Sequence, residues 1–106
     1  MKVRVQYRRY RLPFRVPIRT AHGQWTDREG VIVRLESEAG IAGWGEAAPI
    51  PHFGTESADE AEAAFQSLGE WTDSDRFEGL PPHLGCVRHA LRAALREIDA
   101  AGAAPT

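Results

Sequence analysis

The sequence predicts an α+β fold in which a three-stranded antiparallel β-meander is followed by a small helical bundle. Three observations predict it. Short runs in the first half alternate apolar and polar residues with period two, as half-buried strands do. The second half places apolar residues at helical spacing behind a capping signal. The length of 106 residues is close to the commonest size of one domain, so a second full domain is not expected.

The first predicted strand begins near the amino terminus. Residues 2–8 alternate basic or polar side chains with apolar ones. Pro13 and Pro17 end this strand, because proline lacks the N–H group that a strand donates. Residues 12–27 have no clean period, and we expect most of them to form a long loop. Loops longer than about 12–15 residues in compact domains are usually functional or disordered.

Two further strands complete the predicted meander. Residues 30–36 place three apolar side chains on one face, and Gly40 suits the turn that follows. The third strand covers residues 41–47. It contains Gly43 and Gly45, and glycine inside a strand implies a bulge or a close approach by another backbone.

Helical signals occupy the rest of the chain. Ser57 and Glu60 have the spacing of a capping box, and Gly69 is a suitable stop. The apolar stripe of this helix is Ala61, Ala64, Phe65 and Leu68. A last helix is predicted over residues 84–100, with a core face made of Val87, Leu91, Ala94, Leu95 and Ile98. The predicted domain therefore covers residues 1–100, and residues 101–106 are expected to be a linker or a frayed tail.

Composition excludes several classes of function. The formal net charge is −2 and only 8% of residues are aromatic, so we expect no nucleic-acid partner. No apolar run approaches the ~20 residues that span a bilayer, so no membrane partner is expected. Lys2 is the only lysine, which excludes Schiff-base and P-loop chemistry from this chain. Cys86 is the only cysteine, and a reducing cytoplasm is the expected location.

Few residues suggest chemistry by their spacing. The histidines, at positions 22, 52, 83 and 89, do not form a metal-site pattern. Two of them lie in irregular segments. Either His22 and His52 are ordinary surface histidines, or the segments meet at one end of the sheet and these two histidines line a binding surface with Trp25 and Phe53. Glu46 is expected to pair with an arginine, and His89 to pack half-buried beside the core.

Residues 12–57 carry short motifs whose order and spacing resemble one known family. The pieces lie at residues 13–14, 19–23, 28–30, 43–47 and 49–56. Together they resemble the start of enolase-superfamily enzymes of the muconate lactonizing branch, and most closely o-succinylbenzoate synthase. Amino-acid racemases, dipeptide epimerases and muconate cycloisomerase share the Gly-Trp-Gly-Glu piece, so the capping domain of another member is an alternative.

The resemblance implies a capping domain that sits over the carboxyl-terminal face of a (β/α)8 barrel. The two lid loops of that domain correspond to residues 20–25 and 49–55 of this sequence. The resemblance thereby implies that four residues border the substrate pocket, namely His22, Gly23, Phe53 and Gly54.

The resemblance also implies a reaction whose catalytic residues lie elsewhere. In the family, a lysine abstracts the proton α to a carboxylate, Mg²⁺ stabilises the resulting charge, and loss of hydroxide gives the o-succinylbenzoate of menaquinone or phylloquinone synthesis. The lysines and the Mg²⁺ ligands lie on the barrel, which needs about 200 residues or more. We therefore expect no catalytic residue and no metal ligand in this chain. A barrel supplied in cis or in trans and a small carboxylate substrate at the interface are the expected partners.

A different class of function is also open. The chain could be a stand-alone interaction module that keeps the capping fold and binds another protein through the face that would rest on a barrel. An exposed apolar face is expected in either case.

Overall fold

The computed structural model describes residues 1–21, 23–50 and 54–103 as a sheet covered by helices. The strands are β1 (Lys2–Thr20), β2 (Gly23–Ser37), β3 (Ala42–Ala47) and β4 (Trp71–Asp73). The helices are α1 (Ala58–Leu68) and α2 (Gly85–Ala103), with a short 3₁₀ helix at Ser74–Arg76. All neighbouring strands are antiparallel and the order across the sheet is β3-β2-β1-β4.

The predicted α+β fold is confirmed, with one strand more than expected. The strands β1, β2 and β3 form the predicted meander. The additional strand, β4, pairs with the other edge of β1 over residues 2–4. It is only three residues long, which is too short to produce an alternating pattern in the sequence.

The expectation of a loop over residues 12–27 is wrong. β1 continues through both prolines, and β2 already begins at Gly23. Pro13 still pairs with Asp27, and pairing resumes at Ile18 after an irregularity in the register. We call the part of this hairpin formed by residues 13–20 and 23–27 the distal arm.

The distal arm tolerates proline because it is only two strands wide. β4 pairs only with residues 2–4 of β1, and β3 only with residues 31–36 of β2. Among the described residues, each strand of the arm therefore has a neighbouring strand on one edge only. A missing N–H group costs little where it faces an open edge or falls in the register irregularity.

One hydrophobic core lies between the sheet and the two helices. The sheet contributes alternate residues, and each helix contributes the face predicted from its spacing. The buried members are Val3, Val5, Val31, Val33, Leu35, Ala47, Ala61, Ala64, Phe65, Leu68, Phe77, Leu84, Val87, Ala90, Leu91, Ala94 and Ile98. Leu95 packs against this core and is partly buried.

Two glycines of β3 allow α2 to lie directly against the sheet. A Cβ atom at Gly43 would collide with the carbonyl oxygen of Ala94, and one at Gly45 with the carbonyl oxygen of Ala90. The close backbone approach predicted from these glycines is confirmed.

The helix ends follow the capping signals. Ser57 caps α1 through the backbone N–H of Glu60, while the Glu60 carboxylate accepts from the N–H of Ser57. Gly69, at φ 77°, ends the helix. α2 extends to Ala103, so residues 101–103 are helical where a linker or frayed tail was expected. Residues 104–106 lie outside the described part of the chain.

Candidate functional site

A cavity of about 360 Å³ lies between the distal arm and the segments before and at the start of α1. Both segments that lacked a clear period in the sequence contribute to it. Its described lining consists of Gln24, Trp25, Thr26, Asp27 and Glu29 from β2, with Pro49, Ile50, Thr55, Glu56, Ser57 and Ala58 on the other side. The arm and the chain that enters α1 therefore enclose one space.

Trp25 is fixed in this wall by an aromatic neighbour. Its ring meets that of Phe14 edge-on, with centroids 5.0 Å apart and planes at 78°. Such pairs contribute about 0.5–1.5 kcal/mol beyond their buried area. Trp25 therefore packs within the arm and also lines the cavity.

The acidic residues of the β2 wall are paired with arginines. Arg11 hydrogen-bonds to Asp27, and its Nε lies 3.6 Å from a Glu29 oxygen. Arg9 lies 3.5 Å from the other Glu29 oxygen and hydrogen-bonds to Asp59 of α1. The hydrogen bond to Asp27 raises the pKa of Arg11, and the one to Asp59 raises the pKa of Arg9. Arg9 also lies 3.4 Å from a Glu62 oxygen, so these two charged guanidinium groups face four carboxylates and offset only part of their charge.

The charge of Glu56 is compensated differently, because its hydrogen-bond partners are backbone N–H groups. Its side chain is buried, with 2% exposure. One carboxylate oxygen accepts a hydrogen bond from the N–H of Cys86 at 3.1 Å, and the other accepts from the N–H of Val87 at 3.0 Å. In the sequence, Glu56 is only the last residue of the motif at residues 49–56. The spacing could not reveal this role, since the partners lie about thirty residues further along the chain.

The four residues expected at the pocket border have different outcomes. Gly23 begins β2 opposite Thr20 with φ 117°, and Gly54 has φ 80°, so both adopt backbone conformations that favour glycine. Both are exposed, and neither is among the described residues that line the cavity. His22 and Phe53 lie outside the described residues. The assignment of all four to a substrate pocket stays a prediction.

A second cavity, of about 350 Å³, lies on the other side of Thr55. Its described lining is Arg28, Glu46, Ala48, Thr55, Gly85, Cys86 and His89. Glu46 pairs with Arg28, as expected. The expectation that His89 packs half-buried beside the core is wrong, because His89 is exposed on α2. Burial, helped by the Glu56 carboxylate, raises the pKa of the Cys86 thiol, which disfavours a reactive thiolate.

The described residues do not offer a site for a metal ion. Within residues 1–21, 23–50 and 54–103, no three His, Cys, Asp or Glu side chains form a group that could hold one. The described side chains therefore do not provide the carboxylate ligands in near-octahedral geometry that bind Mg²⁺. No helix in the same part of the chain is both long and apolar enough to cross a membrane.

Comparison with known families identifies this arrangement. A family model described as MenC, N-terminal domain, matches residues 1–98. The chain belongs to this family. A MenC N-terminal domain is the capping domain of an enolase-superfamily enzyme, and the resemblance stated from the motifs is confirmed.

Individual relatives agree with the MenC assignment. The chain is 42% identical over 96 residues to o-succinylbenzoate synthase of Thermosynechococcus vestitus. The matched region covers 91% of this chain and 30% of that enzyme. It superposes on the crystal structure of o-succinylbenzoate synthase from Thermosynechococcus elongatus, complexed with Mg in its active site. That match has a TM-score of 0.70 and 37% identity, over 76% of this chain and 25% of the other.

The same fold occurs in other members of the superfamily. A dipeptide epimerase from Cytophaga hutchinsonii matches with a TM-score of 0.77 and 24% identity, over 96% of this chain and 30% of the other. At that identity the likeness shows the fold alone. This MenC N-terminal domain spans about 30% of the length of the Thermosynechococcus vestitus synthase.

Proposed function

We propose that this chain is the lid and specificity domain of an enzyme that dehydrates 2-succinyl-6-hydroxy-2,4-cyclohexadiene-1-carboxylate to o-succinylbenzoate in menaquinone or phylloquinone biosynthesis. The observation that carries the proposal is the 42% identity to an o-succinylbenzoate synthase over 91% of the chain. The cavity between the distal arm and the start of α1 supports it.

The chemical step belongs to the barrel of the complete enzyme. Dehydration removes the proton α to the ring carboxylate and the ring hydroxyl, which leave together as water. Mg²⁺ bound by the barrel would supply positive charge where negative charge develops on that carboxylate. This chain alone, which holds one lysine, is expected to be inactive.

The contribution of the capping domain is to enclose and orient the substrate. Two walls that approach from different parts of the chain can exclude water and hold the succinyl end. We place His22 and Phe53 at the pocket border on the resemblance, together with Gly23 and Gly54. Glycines there would let the backbone approach a ligand closely.

The charge balance of the cavity is compatible with a small carboxylate substrate. Asp27 and Glu29 are paired with Arg9 and Arg11, and Glu56 is hydrogen-bonded to the backbone of α2. The charges of Asp27 and Glu56 are therefore compensated, while Glu29 shares Arg9 with Asp59 and Glu62 and is compensated in part. A wall with free carboxylates would repel a dianion.

The experiment is a domain exchange with the Thermosynechococcus enzyme. Residues 1–98 replace its own capping domain, and dehydration of the cyclohexadiene substrate is measured with Mg²⁺. We expect turnover by the hybrid and none by this chain or the barrel alone. The parent enzyme assayed in parallel is the positive control.

Two results would contradict the proposal. One is a folded hybrid that dehydrates nothing while the parent is active. The other is a hybrid with the barrel of the Cytophaga epimerase that epimerises dipeptides instead, which would favour a capping domain of that type. His22→Ala and Phe53→Ala in the synthase hybrid test the border residues, and an unchanged kcat/KM in both would remove them from the pocket.

A further inference from the structure

Glu56 is unusual among the carboxylates of this molecule. It is the only acidic side chain among the described residues that is buried. It also lines the cavity between the distal arm and α1. Burying a carboxylate is costly unless its charge is met by hydrogen bonds, so its position calls for a physical reason.

The reason lies in the first turn of α2. The N–H groups at the start of a helix have no partner within the helix and carry partial positive charge. Both oxygens of Glu56 are used on two such groups, those of Cys86 and Val87. The carboxylate therefore caps α2 from a distant part of the chain.

The next residue caps the other helix. Ser57 accepts from the N–H of Glu60 at the start of α1. Glu56 and Ser57 are thus neighbours in sequence and cap the amino-terminal ends of two different helices, α2 and α1. The segment that enters α1 is therefore held to both helices. Thr55 adds a contact on the α2 side, with its hydroxyl 3.8 Å from the Cys86 sulfur.

The first turn of α2, to which Glu56 is hydrogen-bonded, is held firmly against the sheet. α2 lies against β3 with no side chain between them at Gly43 and Gly45, so its first turn cannot shift independently of the sheet. A wall joined to that turn by two charge-assisted hydrogen bonds keeps its position relative to the distal arm, which extends from the same sheet.

We propose that Glu56 is the positioning residue of this wall: by capping α2 it holds residues 54–58 at the distance from the distal arm that defines the cavity. The inference deepens the proposed function and rests on it for its catalytic consequence. It assigns Glu56 to substrate binding through wall placement, without contact to the reacting atoms.

The first test uses this chain alone. Glu56→Gln keeps the shape of the side chain but replaces one acceptor oxygen with an NH₂ group. That NH₂ group cannot accept the hydrogen bond that the facing backbone N–H donates. Glu97→Gln is the matched control, because Glu97 also accepts from a backbone N–H, that of Trp44 at 3.0 Å, at the other end of α2. Hydrogen exchange is followed in peptides that contain residues 54–58 and 85–87.

We expect exchange in both peptides to rise about tenfold or more in Glu56→Gln, as befits the loss of a charge-assisted hydrogen bond. In Glu97→Gln both peptides should exchange as in the unsubstituted chain. Unchanged exchange at residues 54–58 in Glu56→Gln would overturn the proposal. If Glu56→Gln does not fold, Glu56→Asp replaces it, since the shorter side chain keeps the charge but cannot reach both N–H groups.

A second readout separates lost charge from general loosening. The Glu56 carboxylate helps raise the pKa of the Cys86 thiol, so its removal should shift the pH profile of iodoacetamide alkylation to lower pH. Exposure of the thiol would lower the same pKa, because burial is the largest cause of its rise, so the limiting rate at high pH is compared as well. A lower midpoint at an unchanged limiting rate identifies lost charge, whereas a raised limiting rate identifies general loosening. An unmoved midpoint in a folded Glu56→Gln chain would contradict the geometry.

The catalytic consequence is measured in the hybrid synthase. Glu56→Gln should raise KM about tenfold with kcat changed by less than about threefold, because the wall binds and the barrel reacts. A fall in kcat at unchanged KM would overturn the positioning role. If the hybrid is inactive, the proposed function fails, while the exchange and alkylation results still decide how Glu56 holds the wall.

Discussion

At the scale of one residue, Gly45 determines how closely α2 can approach the sheet. The space that a side chain would occupy is filled by the carbonyl oxygen of Ala90. Ala90 and Ala94, which face Gly45 and Gly43, complete the arrangement, because each adds only a methyl group to the helix surface. The Gly-Trp-Gly piece of the sequence is therefore explained by packing, with Trp44 turned to the opposite, exposed face.

Gly45→Ala should destabilise the chain by about 1–3 kcal/mol, because the new methyl group must displace backbone rather than a flexible side chain. Urea denaturation measures the change. Gly79→Ala is the control, since a Cβ there would meet only the Arg76 oxygen at 3.5 Å, and it should stay within about 0.5 kcal/mol. Equal effects of the two substitutions would contradict the close approach.

Arg11→Gln tests the charge balance of the cavity. The substitution leaves Asp27 without its guanidinium partner and weakens the compensation of Glu29. In the hybrid synthase we expect KM for the dianionic substrate to rise about three- to tenfold at low salt, with a smaller rise at high salt. Arg15→Gln, exposed on the same strand, should leave KM unchanged, and an equal rise there would remove the special role of Arg11.

Glu78 gives the molecule a pH-dependent ion pair. Hydrogen bonds from Arg92, with help from Arg88, lower its pKa from 4.5 to about 2. A carboxylate whose pKa is lower in the folded chain adds stability above its unfolded pKa, and this stability is lost as the pH falls from about 4.5 through 2. The advantage of the unsubstituted chain over Glu78→Gln should thus be full at pH 6 and absent near pH 2. Urea titrations at pH 6, 4 and 2.5 would detect it, and a constant difference would contradict the pairing.

The distal arm is the element that sequence patterns could not predict. Core strands and helices bury one face, so their apolar residues recur with period 2 or 3.6 and were recognised. The arm buries little: Val16 is 76% exposed and Ile18 41%. Without a buried face there is no alternation to detect, and its two prolines argued against a strand. The capping role of Glu56 was missed for a related reason, because it depends on a long-range contact.

Local stability should follow this difference between elements. The amides of residues 14–16 and 18–20 lie in a two-stranded ribbon, whereas residues 31–35 lie between two neighbouring strands. We expect hydrogen exchange at 14–20 to be on the order of 100-fold faster or more, because the arm can open without unfolding the core. Equal protection in both segments would mean that the arm and core unfold as one unit.

The whole molecule is elongated by this arm. Its principal extents are 48 × 29 × 18 Å and its radius of gyration is 15.2 Å. A compact chain of this length has a radius of gyration of about 13 Å. The difference follows from a hairpin that projects beyond the core with apolar side chains exposed, which suits a domain that completes its surface against a second one.

Small-angle X-ray scattering can measure this shape in solution. The intact chain should give a radius of gyration near 15 Å. A variant in which Asn-Gly replaces residues 14–26, closing the hairpin between Pro13 and Asp27, should approach about 13 Å while its core stays folded. An intact chain as small as the shortened one would mean that the arm folds back in solution.

The open edges of the distal arm also affect how readily copies of the chain associate at high protein concentration. Unpaired N–H and C=O groups along a ribbon invite strands of other copies, the contact from which sheet aggregates grow. Pro13 and Pro17 cannot donate to such a strand, and arginines at positions 11, 15 and 19 place like charges along β1. Two copies that met arm to arm would find few donors and mutual repulsion. The residues that hid this strand from the sequence pattern also protect it from self-association.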